Sequence, residues 1–305
     1  MSWLLLAVTA HFLTALVFIG DKILLVKKIP HPVIYSFYLG IFGILMLVLI
    51  PFGVVFPQQI TVWLLSLLAG AANVLALYFF YFAMKKFDAS QVVPITGAFT
   101  PIFTFIAAFI FLGERLSSLD IISFSLLVLG GLLVSLNKGF KLGDSSLAIL
   151  KFAALAGFIF AVSFVLMKFS YQHLSFINGF FWPRMGGAAM ALFFLVFKEN
   201  RDIIFSTPKT VEKRTMGLVI LNQSAGGTAF ILLNIAIFFG SVTLINALQG
   251  VQYAFLLALV AILSLKFPHI LKEEISQDII LQKIIAILFI GAGLSILAAE
   301  QFFAL

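Results

Sequence analysis

Sixteen of the 19 lysines and arginines in this 305-residue chain fall in alternate gaps between ten long apolar stretches. The stretches run roughly over 3–26, 32–54, 61–84, 89–112, 118–137, 148–171, 175–197, 215–239, 241–265 and 279–301. A helix needs about 20 apolar residues to cross about 30 Å of hydrocarbon, and each stretch is close to that length. Hydrophobic residues make up 63% of the chain and charged residues 10%, and the mean hydropathy is +1.18. A water-soluble fold of this size could not hide so much apolar surface. The expected class is therefore an all-α membrane protein with ten transmembrane helices. The longest polar gap, Lys198 to Arg214, leaves no room for a large soluble domain. The net charge of +7 is spread over the gaps rather than gathered on such a domain, so it reads as topology and no nucleic-acid partner is expected.

The cations are Lys22, Lys27 and Lys28 after the first stretch, then Lys85 and Lys86 after the third, and Lys138, Lys141 and Lys151 after the fifth. Lys198, Arg201, Lys209, Lys213 and Arg214 follow the seventh stretch, and Lys266, Lys272 and Lys283 the ninth. Cytoplasmic loops retain Lys and Arg, so the odd gaps face the cytoplasm, both termini face outward and the chain is expected in the plasma or inner membrane. The opening MSWLLLAVTAHF lacks a basic n-region and is followed by lysines, which predicts a helix inserted N-terminus outward rather than a cleaved signal. Cysteine is absent, so disulfides, thiolate metal sites and cysteine nucleophiles are excluded. Neither a metal nor a cofactor is expected.

The chain repeats itself. A shift of 146 residues lays Lys22 on Lys168 and Gly40 on Gly186, and a shift of 153 lays Ala83 on Ala236 and Gly97 on Gly250. The halves, 1–140 and 141–305, meet near Lys138 to Ser146. With five helices each, an odd number, the second half enters the membrane inverted relative to the first. Two inverted five-helix repeats are the architecture of secondary transporters, whose substrate sites lie near mid-membrane between the repeats.

The run AMKKFDASQVVPITGAFTPIFTFIAAFIFLGERLSSLD from Ala83, followed by Gly130 and Gly131, resembles the drug/metabolite transporter superfamily, specifically its ten-helix EamA-like branch. Its features are small residues, a proline and then Gly-Glu-Arg-Leu. The resemblance implies a central cavity lined mainly by helices 1, 3, 4, 6, 8 and 9, with helices 5 and 10 peripheral and open to oligomer contacts. It also implies cytoplasmic termini and basic residues after helix 2, where this chain has the uncharged PFGVVFPQQI. The charge count is followed here, because an inverted repeat exchanges the roles of its halves when turned over.

Arg184, in Phe-Phe-Trp-Pro-Arg-Met-Gly-Gly, lies near the middle of the seventh stretch. A guanidinium at that depth costs at least about 2.5–3.5 kcal/mol on insertion scales, so it should face protein or water. It can hold a carboxylate or phosphate bidentately, or instead satisfy carbonyls freed by Pro183 or reach toward an interface. Thr96, Thr100 and Thr104 recur at helical spacing in the fourth stretch, and Asn246, Gln249 and Tyr253 do so in the ninth. The repeat lays Thr96 on Gln249 and Thr100 on Tyr253. Both stripes can line a cavity, or serve as interhelical hydrogen bonds worth about 0.6 kcal/mol each. Pro94 and Pro101 each remove a backbone donor and free a carbonyl, giving either a gating kink or a static one. Asn73, Tyr78, Tyr81, Asn222, Gln223 and Asn234 add polar and aromatic candidates on the third and eighth stretches, and Gly226 and Gly227 predict a close helix approach beside Asn222. His11 either carries a coupling proton or is a hydrogen-bonded packing residue. Glu114 and Arg115 are expected to cap the fifth helix.

No acidic residue lies at the middle of any stretch. An exporter of lipophilic cations needs a carboxylate at depth, so the expected cargo is a small zwitterionic or anionic metabolite, such as an amino acid or organic acid, moved by alternating access. The alternative is a flippase for a lipid-linked phosphate. An intramembrane enzyme is disfavoured: there is no HExxH motif and no carboxylate pair at depth.

Overall fold

The computed structural model describes residues 3–24, 31–87, 89–135, 144–205, 213–266 and 277–303. The helices are α1 (Trp3–Leu24), α2 (Pro32–Ile41), α3 (Ile60–Lys86), α4 (Ala89–Ala107), α5 (Ser118–Ser135) and α6 (Asp144–His173). They are followed by α7 (Phe176–Phe194), α8 (Lys198–Phe205), α9 (Lys213–Phe239), α10 (Val242–Ala247), α11 (Gln249–Lys266) and α12 (Gln277–Phe303). After α2 the chain tightens into a 3₁₀ run, Phe42–Phe52, and α4 ends in a π turn, Ala108–Leu112. Gly53 and Gly113 close these two segments at φ of 98° and 67°, left-handed values that side chains with a Cβ disfavour.

All ten apolar stretches are helical. Among the described residues, seven helices are long and apolar enough to cross a membrane, or eight if α7 and α8, bent by 102°, form one span. The apolar parts of α5 and α9 are shorter, Ser118–Val134 and Ser224–Phe239. The ninth stretch is broken: Ser241 caps α10 by accepting the Leu244 N–H at 3.0 Å, and Leu248 interrupts the helix before α11 begins.

The chain folds as two compact units. One holds residues 29–114 and 142–209, with α2, α3, α4, α6, α7 and α8. There α3 packs against α6, α7 and α2, and α6 also packs against α4. The α3–α7 crossing is set by glycine: a Cβ on Gly70 would overlap the Pro183 carbonyl, and one on Gly186 would overlap the Leu67 carbonyl. The α3–α6 seam is polar within. Ser66 Oγ donates to Val62 O at 2.7 Å and lies 2.8 Å from Ser170 Oγ, and Ser163 Oγ donates to Ala69 O at 2.8 Å.

The other unit holds residues 1–28, 115–141 and 210–305, with α1, α5 and α9 through α12. Within it, α1 packs on α9 and α11, while α5 packs on α12 and α11. Exchanging helices by the repeat register turns the pairs α1–α9 and α1–α11 into α6–α3 and α6–α4, the pairs that pack in the first unit. The sequence halves describe how the chain repeats; the units describe how its helices pack, and each unit draws on both halves. The glycines of α5 and α12 are used within the chain: Gly130 abuts Ile290, Gly293 abuts Leu127 and the Ser123 carbonyl, and only Gly291 faces open space. The start of α5 is capped by a reciprocal pair, Asp120 N–H to Ser117 Oγ and Ser117 N–H to Asp120 Oδ2, both 3.0 Å.

Candidate functional site

In the unit containing α7, Arg184 lies near the midpoint of that 19-residue helix. Its Nε and Nη2 are covered by protein, and the side chain as a whole is half-buried. The Cζ stands 5.4 Å from the centroid of the Phe180 ring one turn earlier, and the buried Tyr171 of α6 interacts with it electrostatically. The backbone beneath it is fixed on two sides, because Gly43 leaves room for the Arg184 carbonyl and Gly70 for that of Pro183. The start of α7 is also strapped: Asn178 Oδ1 accepts the Val55 N–H at 2.8 Å, its Nδ2 donates to Gly53 O at 3.2 Å, and Trp182 Nε1 donates to Val55 O at 3.1 Å. The uncharged link PFGVVFPQQI therefore holds α7 in register. Asn178 and Trp182 were not singled out in the sequence, where their partners are backbone atoms over 120 residues away.

Asn73 of α3 is half-buried, with no hydrogen-bond partner among the described residues. Tyr81 is stacked on Tyr35 of α2, with ring centroids 4.9 Å apart. The threonine stripe of α4 is buried, and its hydroxyls are engaged. Thr100 Oγ1 donates to Thr96 O and Thr104 Oγ1 to Thr100 O, each at 2.8 Å, while Thr96 Oγ1 reaches the Ala153 carbonyl of α6 at 3.3 Å. α4 is continuous through both Pro94 and Pro101; Pro101 is fully buried, and the Pro94 side chain lies outside the described residues.

In the other unit, Asn246 is buried and donates to the Val242 carbonyl at 2.8 Å. Gln249 is half-buried and Tyr253 buried, its ring lying alongside Gly131 of α5. Asn222 donates to the Val17 carbonyl at 3.2 Å, and the close approach of α1 to α9 falls at Gly20 against Asn222. Gly226 makes only ordinary contacts there and Gly227 faces open space, in contrast to the expectation from sequence. The Gln223 side chain lies outside the described residues. His11 is buried between Gln252 of α11 and the Ile245 carbonyl of α10. Gln252 was missed in the sequence because it lies one residue off the Asn246–Gln249–Tyr253 stripe.

Residues 1–136 match the model of the EamA-like transporter family. No curated protein matches the sequence. A protein of known crystal structure shares 17% sequence identity with a TM-score of 0.71, the match covering 96% of this chain and 97% of that one. That likeness extends the fold over nearly the whole chain. Through residues 1–136 the chain is thus similar to the EamA-like transporter family of the drug/metabolite transporter superfamily, whose members are transporters, and its apolar helices are those of a multi-span membrane protein.

Proposed function

We propose that this protein is a secondary transporter that moves a small zwitterionic or anionic metabolite across the plasma or inner membrane by alternating access between its two inverted repeats, with both termini outward. The observation that carries this reading is Arg184: a guanidinium covered by protein, over the Phe180 ring, at mid-span. A permanently charged planar fork in such a place suits a carboxylate or phosphate, which it can hold through two parallel hydrogen bonds. The half-buried amide of Asn73, in the same unit as Arg184, is proposed as a neutral contact to the same cargo, and that of Gln249 as a neutral substrate contact within its own unit. Thr96, Thr100, Asn246 and Tyr253 carry less of the reading, because the hydroxyls of Thr96 and Thr100 and the Asn246 amide already hydrogen-bond to backbone carbonyls. The matching helix pairs of the two units support the inverted repeat on which alternation depends.

The test is thermal unfolding of detergent-purified protein against amino acids, organic acids, nucleotides and polyprenyl phosphates, with Arg184→Ala alongside. Stabilisation by a water-soluble anion or zwitterion, lost in the variant, is expected. Stabilisation by polyprenyl phosphates alone would replace this reading with that of a lipid flippase.

A further inference from the structure

The interruption at Leu248 has chemistry attached. In an unbroken helix the Ile245 carbonyl would take the N–H of Gln249. At this break it faces the His11 ring instead, 3.2 Å from Nε2, while the other ring nitrogen, Nδ1, lies 3.1 Å from Gln252 Oε1. A carbonyl oxygen is only an acceptor, and so is the oxygen of the amide. Nε2 therefore carries a proton toward the Ile245 carbonyl, and when the Gln252 amide presents its oxygen Nδ1 carries a second one and the ring is cationic. Loss of the Nδ1 proton leaves a lone pair there, which the Gln252 amide can meet by turning over to present Nε2–H. The pair thus has two hydrogen-bonding arrangements, one for each charge state of the ring, and both ring nitrogens have a partner in each.

The other half of the chain provides the comparison. The repeat register lays His11 on Gly157, Gln252 on Phe99 and Tyr253 on Thr100. In its own unit, Gly157 brings α6 directly against α4, with the Phe99 Cβ and the Thr100 backbone N 3.1 and 3.2 Å from where a Cβ would stand. A glycine is enough to pack this crossing, so the imidazole and amide at the α1–α11 crossing are a chemical departure from the repeat. The other titratable residues of α1, α9, α10 and α11 are Asp21 and Lys22 near the end of α1, Lys213 and Arg214 at the start of α9, Lys266 at the end of α11, and Tyr253, which lies against Gly131 of α5. Asp21, the one carboxylate on these elements, lies ten residues from His11, about 15 Å along α1, and the groups that meet the ring nitrogens are the Gln252 and Ile245 oxygens.

We propose that His11, Gln252 and the Ile245 carbonyl form a proton-binding site at the α10–α11 break, and that the proton it holds is the coupling ion; the second part rests on the transport reading above. The site binds and releases one proton at Nδ1, and release is matched by rotation of the Gln252 amide. Opening the break withdraws the Ile245 carbonyl and weakens the hold on the charged ring, which ties proton release to movement of α10 against α1.

The experiment is ¹⁵N NMR of histidine-labelled protein in phosphatidylcholine nanodiscs, titrated with pH, with His11→Gln identifying the resonance among the four histidines. The His11 signal is expected to pass between cationic and neutral signatures. Gln252→Glu should raise the midpoint by about one pH unit, a tenfold gain in proton affinity, because a carboxylate favours the charged ring. Gln252→Met, which removes the amide without adding charge, should lower it and serves if the glutamate variant does not fold. A single neutral tautomer from about pH 5 to 8, or a midpoint indifferent to both variants, overturns the proton site. Coupling is read separately, in proteoliposomes loaded with the stabilising ligand from the Arg184 screen. His11→Gln should abolish accumulation driven by a pH gradient while leaving gradient-free exchange intact, and gradient-driven accumulation that survives overturns the coupling role. The titration needs no substrate, so its failure is distinguishable from failure of the transport reading.

Discussion

At the scale of single residues, the tightest constraints lie where a side chain would meet backbone. Gly70→Ala would drive a methyl into the Pro183 carbonyl, which cannot move without displacing α7. Overpacking of that kind typically costs about 1–3 kcal/mol, so a clear fall in thermal midpoint is expected. Gly227→Ala is the matched control: nothing lies within 4 Å, and replacing a helical glycine should gain about 0.5–1 kcal/mol. The polar residues divide in the same way. Gln252→Leu leaves His11 Nδ1 without its partner and should cost about 1–3 kcal/mol. Thr100→Val removes a hydroxyl bonded to its own helix and should cost no more than about 0.6 kcal/mol, measured by the same unfolding assay. Arg184 and His11 were legible in the sequence because a charged or titratable residue in an apolar helix is conspicuous by itself. Gln252, Asn178 and the serines of the α3–α6 seam were not, since their importance comes from carbonyls that only the fold brings near them.

At the scale of elements, hydrophobic runs of helical length announced the long helices, but neither the interruptions nor the short α8. Pro94 and Pro101 drew attention to α4, which is continuous through both, while nothing in the sequence marked the break at Leu248, in its repeat counterpart. Proline advertises a lost donor; a break made by Ser241 capping a six-residue helix leaves only a common serine in the sequence. The turn into α8 was likewise hidden within a polar gap. There Lys198, Glu199, Arg201 and Asp202 stay outside while Ile204 enters a cluster with Val33, Phe37, Val74, Ala191 and Phe194. Ile204→Ala should therefore cost about 2–5 kcal/mol and expose the α7–α8 corner to limited proteolysis. Phe205→Ala should change little, since that side chain is 67% exposed.

At the scale of the whole molecule, the alternating lysines and arginines predict a topology that the packing of helices does not itself determine. The chain has no cysteine, so single cysteines at Ser2 and Ser206 can be labelled with a membrane-impermeant maleimide in intact cells. Ser2 should react from outside and Ser206 only after permeabilisation; the reverse pattern would turn the protein over and exchange the roles of its halves. The repeat read in the sequence, the guanidinium near the middle of α7 and the absence of acidic residues at depth are what the proposed carrier, with its positive binding charge, rests on. The most direct test is uptake of the ligand found by thermal unfolding into proteoliposomes bearing the protein, its Arg184→Lys variant or its Arg184→Ala variant. Saturable uptake that is weakened by lysine, which keeps the charge but loses the planar fork, and abolished by alanine is the predicted result. Equal uptake by all three proteins would contradict the assignment of Arg184 as the residue that reads the cargo.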